Sequence, residues 1–382
     1  MRPGPDRGLD AEEKATIERL RSIGYVGGSV AQSRHGVTVG ADLDAGGNEL
    51  NFYTSGHAAE AFLMDMRGEV LHRWSRPFAD VWPDSPDADK LGATWWRRAR
   101  LLDDGDLLVV FEGLGVARID RDSKLVWAVA NSAHHDLAVL ENGDVYVLTR
   151  AVRKDLPSFP GALVLEDALS ILGPNGEEKR RISLVGALAR SPFVSFMEDR
   201  KKRAGDVFHT NTVHVLDGSL ADRLPAFCRG CVLTSMNGLG VIAVLDPDRE
   251  EITWARKGPP TGQHDPRLLA NGHLLYFDNR EGSGASVVRE IDPRTDDEVW
   301  TYAGTPGAPF YSRFCGAAQH LENGHTLITE SDAGRAFEVD ASGRTVWEFY
   351  NPHRAGNDGE YIATISEMQR ISRKTVSGWL PR

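Results

Sequence analysis

Several things that would place a protein quickly are scarce in this chain. No apolar run among its 382 residues approaches the roughly 18 needed to cross a membrane as a helix. No apolar segment near the start has the character of a secretory leader. The three cysteines cannot build a disulfide scaffold, and a single Cys-x-x-Cys pair, Cys228 and Cys231, excludes a zinc site with four cysteine ligands. That pair is open to three readings: a redox dithiol, half of a zinc site, or a small structural disulfide. It lacks the βαβ surroundings of a thioredoxin motif, so a loop disulfide or plain buried thiols is the ordinary reading. Positive charge is also in deficit. Lys and Arg number 44 against 55 Asp and Glu, a formal net charge of -11 with the acids scattered rather than blocked. Nucleic acid is therefore not an expected partner.

Turn formers are plentiful: 39 Gly and 19 Pro beside 41% hydrophobic residues suit a turn-rich β protein rather than a helical bundle. Residues 1–35 read as a tail with one short helix over Asp10 to Ile23, stopped by Gly24. From residue 36 to 382 a repeat takes over, and we read that span as a single β-propeller domain.

The repeat has two marks. The first is an inner hairpin around Asn-Gly or Asp-Gly, as in Asn142-Gly143, Asp104-Gly105, Asn271-Gly272 and Asn323-Gly324. Both residues of such a pair tolerate positive φ, which makes it a strong hairpin signal. The second is an Asp-led turn running into a strand that ends in Trp, as from Asp120 to Trp127, Asp246 to Trp254, Asp292 to Trp300 and Asp340 to Trp347. Six copies occur at spacings of roughly 40 to 70 residues, the range of propeller blades with insertions. Four antiparallel strands make a blade and the innermost lines the channel. We therefore expect six blades, with the C-terminal segment from Tyr361 to Ile371 supplying the inner strand of the blade whose outer strands come from residues 37–75. A seven-bladed ring is the alternative, because residues 150–205, where 154–161 and 191–205 interrupt the pattern, hold an insertion that could hide strands.

Counted back five residues from the leucine before each inner turn, Arg97, His135, His264 and Gly316 share one position. His209, in Phe208-His209-Thr210-Asn211-Thr212, falls near the same ring, and strand alternation would point Asn211 the same way. Histidines converging from consecutive blades make Arg97, His135, His209, Asn211 and His264 the candidate site, in a channel pocket of ~300 Å³ or more. Asp136 and Asp265 should point away from the histidines they follow and hold the strand starts through backbone hydrogen bonds. His273 and His325, beside turns, should be solvated.

At these residues the chain resembles the bacterial arylsulfotransferases, propeller enzymes that move sulfuryl groups between phenols. The resemblance rests on His134-His135-Asp136, His209-Thr210-Asn211, Gln263-His264-Asp265 and the closing stretch from Gly334 to Pro352. It implies His264 as a nucleophile that becomes transiently sulfated. It also implies that His209, Asn211 and His135 hold the sulfuryl oxygens and handle the phenol proton, with a small aromatic or anionic substrate and no cofactor. The family's arginine in the strand after the His-x-Asn motif is replaced near Met236, and Arg97 is the residue that could substitute. The resemblance further implies export to a compartment such as the periplasm, with Cys228 and Cys231 oxidised. Two other readings follow from the same residues. One is a metalloenzyme with one divalent transition metal on His135, His209 and His264; the other is a non-catalytic binding propeller. The oligomeric state is not legible.

Overall fold

The computed structural model describes residues 28–380 apart from 31–32, 41–46, 201–203, 259–261, 281, 306, 308–309 and 357. The helix expected over Asp10 to Ile23 lies outside them.

Six antiparallel sheets form six blades, each read here from the channel outward. Blade one consists of Ile365–Ser372, Glu49–Ser55, Glu60–Asp65 and Val70–Ser75. Blade two runs through Trp96–Leu101, Leu107–Phe111, Gly115–Ile119 and Leu125–Val129. Ala133–Val139 and three further strands to Ser183 make blade three, and His214–Val215 opens blade four. Blade five starts with Gln263–Leu268 and blade six with Ala317–His320. Among the described residues the stretch from 150 to 205 holds no strands of a seventh blade. Besides strands of blade three, that stretch holds a loop, the helix Leu184–Ala189 and the 3-10 turn Val194–Arg200.

The ring closes as expected at blade one, where Ile365–Ser372 pairs with Glu49–Ser55. The N-terminal boundary differs. Gly36–Val39 does not join blade one but adds a fifth strand to the outer edge of blade six, paired with Thr345–Tyr350. Thr38 Oγ1 donates to Glu348 Oε2 there at 2.7 Å. The chain thus overlaps itself at both sides of the seam, and the overlap covers an edge that would otherwise be open.

Middle strands such as Leu107–Phe111 are buried throughout, because their two faces meet two different neighbours. Leu107 and Val109 pack with Leu63 and Trp74 of blade one, while Leu108 and Val110 pack with Leu137 and Val147 of blade three. Six such apolar clusters sit between the six adjacent pairs of blades.

The repeated residues explain themselves in this frame. The turn Asp takes backbone N–H groups onto Oδ1, as Asp65 does from Arg67 and Glu69 and Asp120 from Asp122 and Lys124. The blade-ending Trp reaches the next blade: Trp74 Nε1 donates to Gly105 O at 3.0 Å, Trp127 to Pro174 O at 2.9 Å and Trp347 to Met66 O at 2.9 Å. The inner turns correct the sequence reading in one respect. Gly143 has φ 81° but Asn142 is not left-handed. Leu140 N–H bonds Asp144 O, so the loop has three residues, and Asn142 Oδ1 accepts from Asp144 N–H. This is a type I turn followed by a glycine bulge.

Candidate active site

The inner strands do not run as regular β structure. Each of blades two, three and five has a register break near its start, at Trp96/Arg98, opposite Val147/Thr149, and at His264/Arg267. His135 (φ 54°), His209 (φ 46°), Asp265 (φ 53°) and Cys315 (φ 58°) are left-handed there. Non-glycine residues in that region are strained and concentrate where function fixes them. Counting from the turn leucine therefore places His135 and His264 at one level but not in one conformation, and simple alternation from His209 to Asn211 fails.

Arg97, His135 and His264 are buried, at 2, 1 and 6% exposure, and His209 retains 19% of its side-chain surface. The His135 and His209 rings meet edge to face with centroids 4.9 Å apart. Arg97 and His209 both bear electrostatically on His264, and both also bear on His135. These four expected residues are thus brought together. Asn211 is adjacent but differently employed. Its amide donates to Gln263 O at 3.0 Å and its Oδ1 accepts from Thr212, so it braces the residue before His264. Met236 is wholly buried in the core between blades three and four, far in character from an anion ligand.

His264 is held by one ring nitrogen. Nδ1 lies 2.7 Å from Asn279 Oδ1 and 3.0 Å from Gly262 O, two acceptors, so Nδ1 carries the proton. The Asn279 amide is itself oriented, because its nitrogen donates to Ser312 O and Cys315 O at 2.9 and 2.6 Å. Nε2 is then the unprotonated nitrogen, buried and without a hydrogen-bond partner. Burial, joined by the Arg97 charge, lowers the His264 pKa to about 3 against the bond to Gly262. The ring is neutral across the physiological range.

His209 is tuned the other way. Asp206 grips it twice, Oδ2 on Nδ1 at 2.7 Å and Oδ1 on the backbone N–H at 3.1 Å. Burial pushes its pKa down, but the carboxylates of Asp206 and then Asp167 outweigh this and raise it. His134 and His135 fall well below the ordinary value, burial first; the Arg150 charge adds to this at His134 and Arg97 at His135.

Four contributors were not legible beforehand. Asn279, Asp206, Asp167 and Arg150 come from middle strands or loops, outside the repeated inner position. Asp167 accepts Thr210 N–H at 2.7 Å. Arg150 pairs with Glu112 at 3.3 Å, and Glu112 also accepts His135 N–H at 3.0 Å. The metal reading finds a different group from the one expected. His135, His209 and His264 are not among the sets whose ligand atoms lie within 4.8 Å, whereas Glu112, His134 and His135 are. Two guanidiniums face that carboxylate, Arg97 at 3.9 Å and Arg150 at 3.3 Å, and they repel a cation.

Asp136 and Asp265 point away from the histidines, as expected, but into ion pairs more than backbone bonds. Asp136 does accept Val213 N–H at 2.9 Å, and it also pairs with Arg98 and Arg100 at 3.2 and 2.8 Å. Asp265 pairs with Arg267 at 2.5 Å, and Glu367 from blade one pairs with Arg98 and Arg100. Three guanidiniums and three carboxylates so fill the channel beyond the histidines. A cavity of about 420 Å³ lies past this plug, lined by Arg267, Glu367, His214 and His320 among others; a second of about 310 Å³ is lined by Arg100 and His214. Neither is lined by His135, His209 or His264, so the expected pocket at the histidines is not one of these two. His273 and His325 are not simply solvated: each pairs with a carboxylate, Glu290 at 2.7 Å and Glu338 at 2.6 Å. Cys228 and Cys231 are disulfide-bonded.

Fold and site together define a six-bladed propeller that brings together a neutral imidazole, a second imidazole whose carboxylate partners favour its protonated form, and an arginine. The chain belongs to the arylsulfotransferase (ASST) family, whose sequence pattern matches residues 98–352, well over half of it. No curated protein matches the sequence. Among solved structures it is similar to a Bacteroides caccae protein of unknown function, at 11% identity and a TM-score of 0.54, over 85% of this chain and 99% of that one. It is also similar to the propeller domain of Myceliophteria thermophila Cps50 (Swd1), at 12% identity, TM-score 0.49, over 89% and 98%. Virginiamycin B lyase from Staphylococcus aureus matches at 12% identity and TM-score 0.39, over 66% and 69%. Identities this low bear on the fold alone, and of the three only the first is close enough to support it.

Proposed function

We propose that the chain transfers a sulfuryl group from an aryl sulfate to a phenolic acceptor through a sulfated His264. Family membership supports an arylsulfotransferase-like activity. The observation that carries the mechanism is the fixed tautomer of His264: Nδ1–H committed to Asn279 and Gly262, Nε2 with its lone pair unengaged. A neutral imidazole presented this way attacks sulfur without first losing a proton. Arg97 supplies the nearby positive charge that the transferring group needs and stands in for the arginine that Met236 displaces. Asn211 and Asn279 act as positioning residues, one on the strand and one on the ring. We place the protein in an oxidising, exported compartment, in keeping with its family and with the Cys228–Cys231 disulfide.

The test is intact-mass spectrometry after mixing with 4-nitrophenyl sulfate alone. One added sulfuryl group is expected on the wild-type chain and none on His264→Ala. Asn279→Ala should form the adduct on the order of 10- to 100-fold more slowly, the scale seen when a ring loses its orienting partner. An adduct on His264→Ala, or none on the wild type, defeats the assignment.

A further inference from the structure

We propose that the end of the channel beyond the ionic plug is a second binding site, which takes a small organic monoanion: an oxyanion head on a compact apolar body, held by Arg267 and His214. Such binding does not depend on sulfuryl transfer at His264.

The inner strands of blades two, three and five leave their register breaks beside the histidines and run toward their hairpin turns. Where they reach those turns, Leu102, Val139 and Leu269 line this end of the channel. The cavities of about 420 and 310 Å³ adjoin here, since Arg100, His214 and Arg267 line both. The larger is of a size that holds small organic ligands. Leu269, Ala318, Met368 and Ile371 give it apolar wall, which favours a hydrophobic body over a bare inorganic ion.

Two polar side chains at the junction are underused. Arg100 spends Nε, Nη1 and Nη2 on Leu137 O, Glu367 and Asp136. Arg267 makes one side-chain hydrogen bond, from Nη2 to Asp265 Oδ1 at 2.5 Å. Glu367 and Asp136 lie 3.5 and 4.0 Å from it, and both are held more closely by Arg98 and Arg100. Arg267 Nε and Nη1 therefore have no hydrogen-bond partner among the described residues, and 20% of the side chain remains accessible. His214 sits on the two-residue strand that opens blade four, half-buried, and its ring makes no hydrogen bond among the described residues. Burial, joined by the Arg267 charge, lowers its pKa to about 3, so the neutral ring offers one N–H and one lone pair.

The charges select the ligand. The smaller cavity is lined by two guanidiniums and by no acid, in a chain whose net charge is -11. A cation is repelled there. An oxyanion accepts charge-assisted hydrogen bonds from Arg267 and a further one from the neutral His214 N–H, while its apolar body covers the aliphatic wall.

The experiment titrates the wild-type chain by calorimetry with benzoate, with benzenesulfonate, whose sulfur–carbon bond does not transfer, and with benzyl alcohol as neutral counterpart. At least one anion should bind once per chain with a dissociation constant on the order of 1 mM or tighter, and at least about tenfold more tightly than benzyl alcohol. The tighter anion identifies the head, planar or tetrahedral. His214→Ala removes a ring that makes no hydrogen bond and should weaken that anion about 3- to 10-fold. Arg267→Gln combined with Asp265→Asn removes the cation and its acid together, which strands no buried charge, and should weaken it about tenfold or more. Diffraction from crystals soaked with the 4-bromo derivative should place bromine in the cavity lined by Arg267 and His214. Should the double variant fail to fold, His214→Ala and the bromine position decide. Failure of both anions to bind, equal binding of benzyl alcohol, undiminished binding in the variants, or bromine beside Arg97 and His264 instead overturns the proposal.

Discussion

His57 and His353 lie face to face with ring centroids 3.8 Å apart and planes 5° from parallel, across the seam between blades one and six. Burial, joined by the His57 charge, lowers the His353 pKa to about 4, and burial lowers His57 as well. The folded state thus binds protons less readily than the unfolded chain, whose histidines titrate near 6.5. The stability these rings contribute is complete above that value and is lost as pH falls from it toward 4. The urea midpoint should therefore drop over this window, and His353→Phe, which keeps the stack without the proton, should flatten the drop. An unchanged slope in the variant would remove the pair as the cause. The same logic separates the two site histidines: with an amide as partner His264 stays neutral, whereas the carboxylate on His209 shifts that ring toward its protonated form.

The inner strands of blades two, three and five carry a break that no periodicity announces, and blade six shows why its residue at that level differs. Gly316 stands level with Arg97, His135 and His264, has φ 132°, and packs so closely on Phe277 that a Cβ would lie 2.6 Å from the ring. Phe277 is wholly buried between blades five and six and cannot yield. Gly316→Ala should cost about 1–3 kcal/mol through strain and overpacking, measured as a shifted denaturation midpoint. A neutral result would mean that the Phe277 ring relaxes. The outer hairpins behave differently: their Asp turns and terminal Trp residues are local or nearest-neighbour devices, so they were readable as a repeat. Asp206 and Asn279 belong to no repeat, and their roles come from reaching across to an inner strand.

At the scale of the whole ring, the channel is closed by charges drawn from four blades: Glu367, Arg98 and Arg100, Asp136, and Asp265 with Arg267. Burial opposes the charge on Glu367, and the three guanidiniums outweigh it and hold its pKa far below the carboxylate range. Glu367→Gln leaves three buried guanidiniums against two carboxylates and should destabilise by about 3–5 kcal/mol. A loss under about 1 kcal/mol would mean that water already screens the cluster. The sequence alone favoured six blades over seven, closure of the ring by the segment from Tyr361 to Ile371 and the histidines His135 and His264 at one level, because each rests on spacing within the repeat. Only the tertiary structure decided which histidine is lowered and which is raised in pKa, since Asp206 raises His209 while burial, which Asn279 opposes, lowers His264. It alone also revealed the ionic plug, and it put Gly36–Val39 on blade six instead of blade one. Those outcomes depend on contacts between residues far apart in the chain, where burial and charge from neighbouring blades act on a side chain in ways that its own segment does not encode.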